Sequence, residues 1–245
     1  MHLVILTGGS RGIGLALVRQ FEASGHRLIE FSRSAPHPFS RRVDLADPLA
    51  AREAIHAGLA DLDDKSIESL TVIGNAGVLE PIGPAAFKDP AAVLANLNAG
   101  FVSGIVFYAE VVARFQHLAV PKRLANISSG AADKGYAGWS LYCAAKAGLE
   151  NYIRALALEQ AAMPHPFLPL NILPGVVDTG MQALIRGSGE EDFPARERFA
   201  TLHRDGLLAS PDEVARRIRI LLARSDLQPG SRLDVRDLSA DEAEG

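Results

Sequence analysis

The 245-residue chain contains a single cysteine, Cys143, which excludes an intrachain disulfide and a multi-thiolate metal site and suits a reducing compartment. Its seven histidines lie far apart in sequence, with no His-Glu-x-x-His or comparable ligand spacing, so no metal is expected. Dominance of one charge is also lacking. Lys and Arg number 25 against 29 Asp and Glu, a formal charge of −4, and the basic residues are scattered rather than massed in a stripe. That distribution argues against a nucleic-acid partner. No apolar run approaches the roughly 20 residues needed to span a bilayer. The opening Leu3-Val4-Ile5-Leu6 runs directly into glycines, without the basic and longer apolar segments of a secretory signal. A cytoplasmic protein with no membrane partner is the expectation. Internal repeats at solenoid periods are absent as well.

What is present is ordinary globular composition, 48% apolar and 22% charged, in a chain long enough for one large domain with a buried core. Short apolar runs alternate with longer helical patterns, the signature of βαβ units and a parallel sheet. Strands are expected over residues 3–6, 27–31, 69–73, 124–128, 167–173 and 232–235, and helices over 12–24, 48–59, 89–115, 139–160 and 211–223. Right-handed crossovers then favour an α/β fold of one domain, a doubly wound parallel sheet (Rossmann fold) with helices on both faces. Its ligand would sit beyond the carboxyl ends of the strands. Residues 1–236 are expected to form that domain, and 237–245 a polar, acidic tail. Residues 35–40 and 163–169 are proline-bearing connections. The charged segment 187–204, punctuated by glycine and proline, is either a mobile lid beside the substrate or a solvated surface helix.

Thr7-Gly8-Gly9-Ser10-Arg11-Gly12-Ile13-Gly14 falls between the first strand and the first helix. Glycine there permits a tight turn and a close approach of backbone N–H groups to a pyrophosphate at the positive helix end. No Gly-Lys-Ser/Thr follows, which disfavours the phosphate loop of nucleotide triphosphatases. Charge at the end of the second strand selects the dinucleotide, an acid for the free ribose hydroxyls of NAD and an arginine for a 2′-phosphate. The strand leads into Phe31-Ser32-Arg33-Ser34, and Arg11 lies in the glycine turn, so NADP(H) is expected. Glu30 is the competing acidic candidate if the strand ends earlier.

Ser129, Tyr142 and Lys146 form Ser-x12-Tyr-x3-Lys. The serine follows an expected strand, and the tyrosine and lysine stand four apart on one helix face. Hydride reduction of a ketone leaves an alkoxide that needs a proton, and a phenol with a pKa near 10 is a poor acid-base catalyst at neutral pH. A nearby ammonium lowers that pKa, which is the role expected of Lys146. The Ser129 hydroxyl is placed to donate to the carbonyl oxygen. Cys143 beside the tyrosine is expected to fill a helix face as a small residue rather than to act in redox chemistry.

With these residues in place the chain resembles the classical short-chain dehydrogenases/reductases over nearly its full length. The matching pieces are Thr7-Gly8-x-x-x-Gly12-x-Gly14, Asn75-Ala76-Gly77 after the third strand, Asn98 on the long helix, Ser129, Tyr142-x-x-x-Lys146 and Pro174-Gly175. The resemblance implies a catalytic tetrad of Asn98, Ser129, Tyr142 and Lys146, the asparagine holding a water in a proton relay and the lysine also bonding the nicotinamide ribose. It places Asp44 and Leu45 by the adenine, Asn75, Ala76 and Gly77 along the cofactor, and the segment containing Pro174, Gly175, Val177 and Thr179 around the nicotinamide amide. Ser10 and Ile13 join Gly8, Arg11, Gly12 and Gly14 in the turn, with Ser32 and Arg33 at the second strand. Ser128 is the alternative to Ser129. One departure from the pattern is Gly74, where the family usually has a second asparagine, which puts one stabilising hydrogen bond in doubt.

A narrower likeness to the sepiapterin reductase and benzil reductase branch rests on Gly77-Val-Leu-Glu-Pro-Ile-Gly83, Trp139-Ser-Leu-Tyr142-Cys, Pro174-Gly-Val-Val-Asp178-Thr179-x-Met181-Gln182 and Gly230-Ser-Arg-Leu-Asp234-Val. It implies NADPH-dependent reduction of vicinal dicarbonyls, with Asp178, Met181, Gln182 and Asp234 toward the substrate. Asp234 matches a pterin-anchoring position, and a loop carboxylate capping the last strand is the equal alternative. A broader alcohol dehydrogenase or oxoacyl reductase would use the same tetrad, and a catalytically idle NADP-binding regulator is the competitor from another class. Family members are usually dimers or tetramers joined through the long helices that begin near Asp89 and Trp139, so a homodimer or homotetramer is expected.

Overall fold

The computed structural model describes residues 1–239; residues 240–245, most of the expected tail, lie outside it. Seven strands, all parallel, form one sheet in the order β3-β2-β1-β4-β5-β6-β7. They are β1 (His2–Thr7), β2 (Arg27–Ser32), β3 (Ser40–Arg42), β4 (Ser69–Gly74), β5 (Lys122–Ile127), β6 (Leu168–Leu173) and β7 (Arg232–Asp234). The helices are α1 (Gly12–Ala23), α2 (Pro48–Ala60), α3 (Pro90–Leu97), α4 (Ser103–Phe115), α5 (Ser140–Gln160), α6 (Gly180–Gly187), α7 (Arg196–Arg204) and α8 (Pro211–Ala223). This is the expected Rossmann-like architecture. The strand order reverses between β1 and β4, whose carboxyl ends therefore open on a crevice that helices do not cover.

Central strands are buried on both faces, which is why they appear in the sequence as apolar runs. Leu3, Ile5, Val72 and Leu124 point to one side and meet Phe31, Ile55, Phe107, Val111 and Ile153. Val4, Leu6, Ala125 and Ile172 point to the other and meet Leu17, Phe21, Val214 and Ile218. Three helices start on a capping side chain followed by proline. Asp47 accepts from Leu49 and Ala50 N–H before Pro48, Asp89 from Ala92 before Pro90, and Ser210 from Glu213 before Pro211. Each fixes its first turn by satisfying an orphan donor.

Four features depart from the expected elements. β3 is a three-residue edge strand, too short and too exposed to carry an apolar pattern. The helix expected over 89–115 is broken by a π turn at Asn98–Val102. The last strand stops at Asp234, and Val235–Asp237 form a 3₁₀ turn after which Leu238 is still buried in the core. Finally, Pro90–Phe115, counted through the π turn, is a helical stretch of 26 residues containing an 18-residue window of mean hydropathy 1.5, long and apolar enough by length and composition to cross a membrane. This corrects the expectation that no run reaches that length. Phe107, Tyr108, Val111 and Phe115 pack it into the core, whereas Leu94 is 62% exposed.

Candidate active site

The glycine turn is built for close approach. Gly8 has φ +74° and Gly12 φ +55°, conformations that other residues rarely adopt. A side chain at Gly14 would collide with the Gly8 carbonyl. α1 starts at Arg11 with no side chain capping it and no acid in its first turn, which leaves its N–H groups directed at the β1/β4 crevice. Asn75 ties the two sides together, its Nδ2 donating to the Thr7 and Gly8 carbonyls at 3.3 and 3.0 Å. Thr7 Oγ1 in turn accepts the N–H groups of Asn75 and Ala76. Gly77 follows, with Lys146 close enough that a Cβ on that glycine would lie 3.6 Å from Nζ. These residues fit a dinucleotide pyrophosphate.

Glu30 is not presented to solvent at the end of β2. It is fully buried beneath the turn, where it accepts the Gly9 N–H at 2.8 Å and the hydroxyls of Ser32 and Ser40 at 3.1 and 2.5 Å. The Ser32 hydroxyl is thus turned inward, and it also accepts the Ala35 N–H. Sequence reasoning missed His37, whose Nε2 lies 3.1 Å from the Gly9 carbonyl, so both polar groups of Gly9 are held. Ser10 lies in the turn, and Ile13 packs on the core below α1. Arg11 and Arg33 are exposed, with no hydrogen bond or ion pair among the described residues. Beyond β3, Asp44 accepts the Ala46 N–H. The Leu45 and Ala46 carbonyls accept from Ser103 Oγ at 2.7 Å and Asn98 Nδ2 at 3.1 Å, so the π turn anchors this loop.

Ser129 and Tyr142 face each other across the end of β5. Ser128, the alternative serine, is buried with its hydroxyl on Glu150 at 2.5 Å, whereas Ser129 hydrogen-bonds to the Tyr142 phenol and also accepts the Ala131 N–H. Lys146 is buried one turn along α5, its Nζ 5.8 Å from the Tyr142 ring centre and donating to the Ile127 carbonyl at 2.7 Å. Burial drags its ammonium down to about 8, against an opposing push from Glu150. The expected acidification of Tyr142 by Lys146 is corrected here. Burial dominates and holds the phenol above its ordinary value, while the Ser129 hydrogen bond pulls it down. Four-residue spacing set the two groups near one another but carried no information on how dry their surroundings are.

Gly74 is explained by Tyr108. A side chain at Gly74 would overlap the Tyr108 hydroxyl, which lies 3.3 Å from the Ala125 carbonyl and 3.5 Å from Asn126 Oδ1. The Tyr108 hydroxyl, reaching in from α4, thus occupies the space that an asparagine side chain at position 74 would need.

On the substrate side, Pro174 is buried and Gly175 turns at φ +73°, after which Val177 bridges Ala209. Thr179 opens α6 without a side-chain cap and lies over the glycine turn, 3.3 Å from where a Gly12 Cβ would be. Asp178 is exposed, 3.7 Å from Arg186. Met181 packs on an aromatic cluster of Trp139, Tyr142, Phe193 and Phe199, in which Trp139 and Phe193 stack at 4.2 Å. Gln182 is buried with neither amide atom partnered. Asp234 sits beside Leu173 at the sheet edge, its carboxylate taken up by Arg236 at 2.9 and 2.5 Å and by the Arg236 N–H, which is the capping alternative. Segment 187–204 contributes Phe193 and Phe199 to the cluster and contains α7, so it is a packed element of this wall. Among the described residues, no group of three or more His, Cys, Asp or Glu is arranged to hold a metal ion.

The profile of the short chain dehydrogenase family matches residues 2–188. The chain belongs to that family. It is similar to the benzil reductase ((S)-benzoin forming) of Bacillus subtilis, 32% identical over 97% of this chain and 99% of that one. It is also similar to the sepiapterin reductase of Meriones unguiculatus, 29% identical over 95% of both chains. Among solved structures, the KRED1-Pglu enzyme superposes with a TM-score of 0.78 at 28% identity, covering 95% of this chain and all of that one. The chain is thus an oxidoreductase of the short-chain dehydrogenase/reductase type, and its relatives lie in the benzil and sepiapterin reductase branch.

Proposed function

We propose that the chain is an NADPH-dependent carbonyl reductase acting on a ketone or vicinal dicarbonyl of the benzil or sepiapterin kind, with Tyr142 as proton donor. The observation that carries this reading is the state of Tyr142, a buried phenol kept protonated by its surroundings yet bonded to Ser129 and one turn from Lys146. A group held above its ordinary pKa favours giving its proton only to something more basic, and a nascent alkoxide is more basic than a phenolate. A dinucleotide held along the glycine turn would supply the hydride to the carbonyl carbon. Ser129 donates to the carbonyl oxygen as charge grows there, and Tyr142 passes its proton to that oxygen, with Lys146 one turn along the same helix face. Asn98 completes the tetrad as the residue that holds a water for the relay returning a proton to Tyr142.

The preference for NADPH is supported by the burial of Glu30 and by the free guanidinium groups of Arg11 and Arg33, which suit a 2′-phosphate. Gly8, Ser10, Gly12, Ile13 and Gly14 would line the pyrophosphate, Asp44 and Leu45 the adenine, and Pro174 to Thr179 the nicotinamide. Asp178, Met181 and Gln182 would meet the substrate, with Asp234 at the edge of the same wall. The open apolar surface on the long helices, including Leu94 at 62% and Leu158 at 79% exposure, fits the homodimer or homotetramer usual in the family. The reading is of a cytoplasmic enzyme whose partners are a small carbonyl compound and its own copies.

Initial rates with benzil, other vicinal diketones and sepiapterin, measured with NADPH and NADH in parallel, test this directly. Turnover with a kcat/KM at least about tenfold higher for NADPH is expected. NADPH binding without turnover of any carbonyl would replace the reading with that of a regulatory binding protein.

A further inference from the structure

Behind the Tyr142 and Lys146 face, α5 carries a third buried polar side chain that the reaction above does not use. Glu150 stands four residues beyond Lys146, hence on the same helix face one turn along, and its side chain is only 2% exposed. Ser128 Oγ donates to its Oε1 at 2.5 Å, Arg232 Nε to the same oxygen at 2.9 Å, and Arg154 Nη2 to Oε2 at 2.9 Å. Arg232 extends the network to Asp133 at 2.5 Å. Three parts of the chain meet at this carboxylate: the residue after β5 through Ser128, α5 itself through Arg154, and β7 through Arg232, which links on to Asp133.

A buried ion network is weak as a device for stability, because desolvation consumes most of the Coulomb gain and an apolar replacement often does as well. Its neighbours give it another use. Lys146 meets the uncharged Ile127 carbonyl from β5 and Gly77 from the loop after β4, with Tyr142 and Glu150 on its own helix. Among the charged groups of the described residues, Glu150 is the one that acts on its ammonium. The same carboxylate anchors Ser128, the residue immediately before Ser129.

We propose that Glu150 is a positioning residue for the proton donor, its carboxylate supplying the counter-charge one turn behind Lys146 and, through Ser128, fixing the strand end from which Ser129 faces Tyr142. Arg232, two residues before Asp234, makes that counter-charge depend on the seating of the last strand. The proposal rests on the reductase reading for its catalytic consequence, but the link between Glu150 and Lys146 has a readout of its own.

The chain has five lysines, so full-length protein carrying ¹³Cε-lysine gives a simple NMR spectrum in which Lys146 is identified by its loss in Lys146→Arg. The wild-type signal should titrate at about 8. Glu150→Gln removes the counter-charge and should move that midpoint down by about one pH unit. Arg232→Gln removes the competing cation and should move it up. The alkaline limb of kcat for NADPH-dependent reduction should follow each shift, with KM little changed. An unmoved Lys146 midpoint in folded Glu150→Gln, with only a lower melting temperature, would overturn the proposal. Should Glu150→Gln not fold, an unmoved midpoint in Arg232→Gln does the same. Shifts in both variants without carbonyl turnover in the wild type would refute the reductase reading and leave the link between Glu150 and Lys146 standing.

Discussion

The buried carboxylate of Glu30 accepts the Gly9 N–H at 2.8 Å, which takes the acidic side chain of β2 beneath the glycine turn, whereas Arg33 just after the strand is exposed. Glu30 is therefore a support of the turn. Glu30→Gln should weaken NADPH and NADH binding alike, by several-fold, because a neutral amide is a poorer acceptor for Gly9 and for two hydroxyls. Arg33→Asp should cut kcat/KM for NADPH by about 10- to 100-fold and leave NADH little affected. Fluorescence titration with both cofactors separates the two effects.

Gly74 and Tyr108 form a complementary pair. Gly74→Asn alone forces a side chain into the space of the Tyr108 hydroxyl and should cost about 1–3 kcal/mol. Tyr108→Leu alone removes that hydroxyl from the Ala125 carbonyl and should also destabilise. The double variant should be markedly more stable than the sum of the two losses, which denaturant melts arranged as a double-mutant cycle would show.

Phe193 is fully buried against Trp139. Phe193→Ala should lower stability by about 3–5 kcal/mol if the fold melts as one unit. Because Trp139 lies edge-on to Tyr142 with ring centres 5.9 Å apart, the same change should raise KM for the carbonyl substrate more than it lowers kcat. Melting curves and steady-state kinetics on one preparation check both.

Much of the fold was legible because β1, β5 and β6 are buried on both faces and announce themselves as apolar runs between helical patterns. β3 was not, since three polar residues at a sheet edge, two of them exposed, have no period to detect. α7 reads as a charged surface segment, and what holds it is tertiary, the seating of Phe199 in an aromatic cluster assembled from distant residues. The residues proposed for the site were picked out by spacing along one strand end and one helix face. Their electrostatics were not, for spacing says that Tyr142 and Lys146 are near and says nothing of the burial that raises one pKa and lowers the other. The partnership of Gly74 with Tyr108 and the inward turn of Glu30 likewise depend on contacts between elements. Only the packed chain shows them.

Light scattering on the purified protein should give the mass of a dimer or tetramer. Leu158→Glu, which places a charge on a 79% exposed leucine of α5, should shift that mass toward the monomer without altering the melting of the isolated fold by more than about 0.5 kcal/mol.

The proton donor is tested most directly by NADPH oxidation in the presence of benzil, with Tyr142→Phe and wild type compared under the same conditions and NADPH binding measured for both. The phenylalanine keeps the ring against Trp139 and removes only the hydroxyl. Unchanged NADPH binding with turnover lower by about 10²–10⁴-fold is the predicted result. Turnover within about tenfold of wild type would contradict it, because general acid catalysis by Tyr142 cannot be lost at so small a cost.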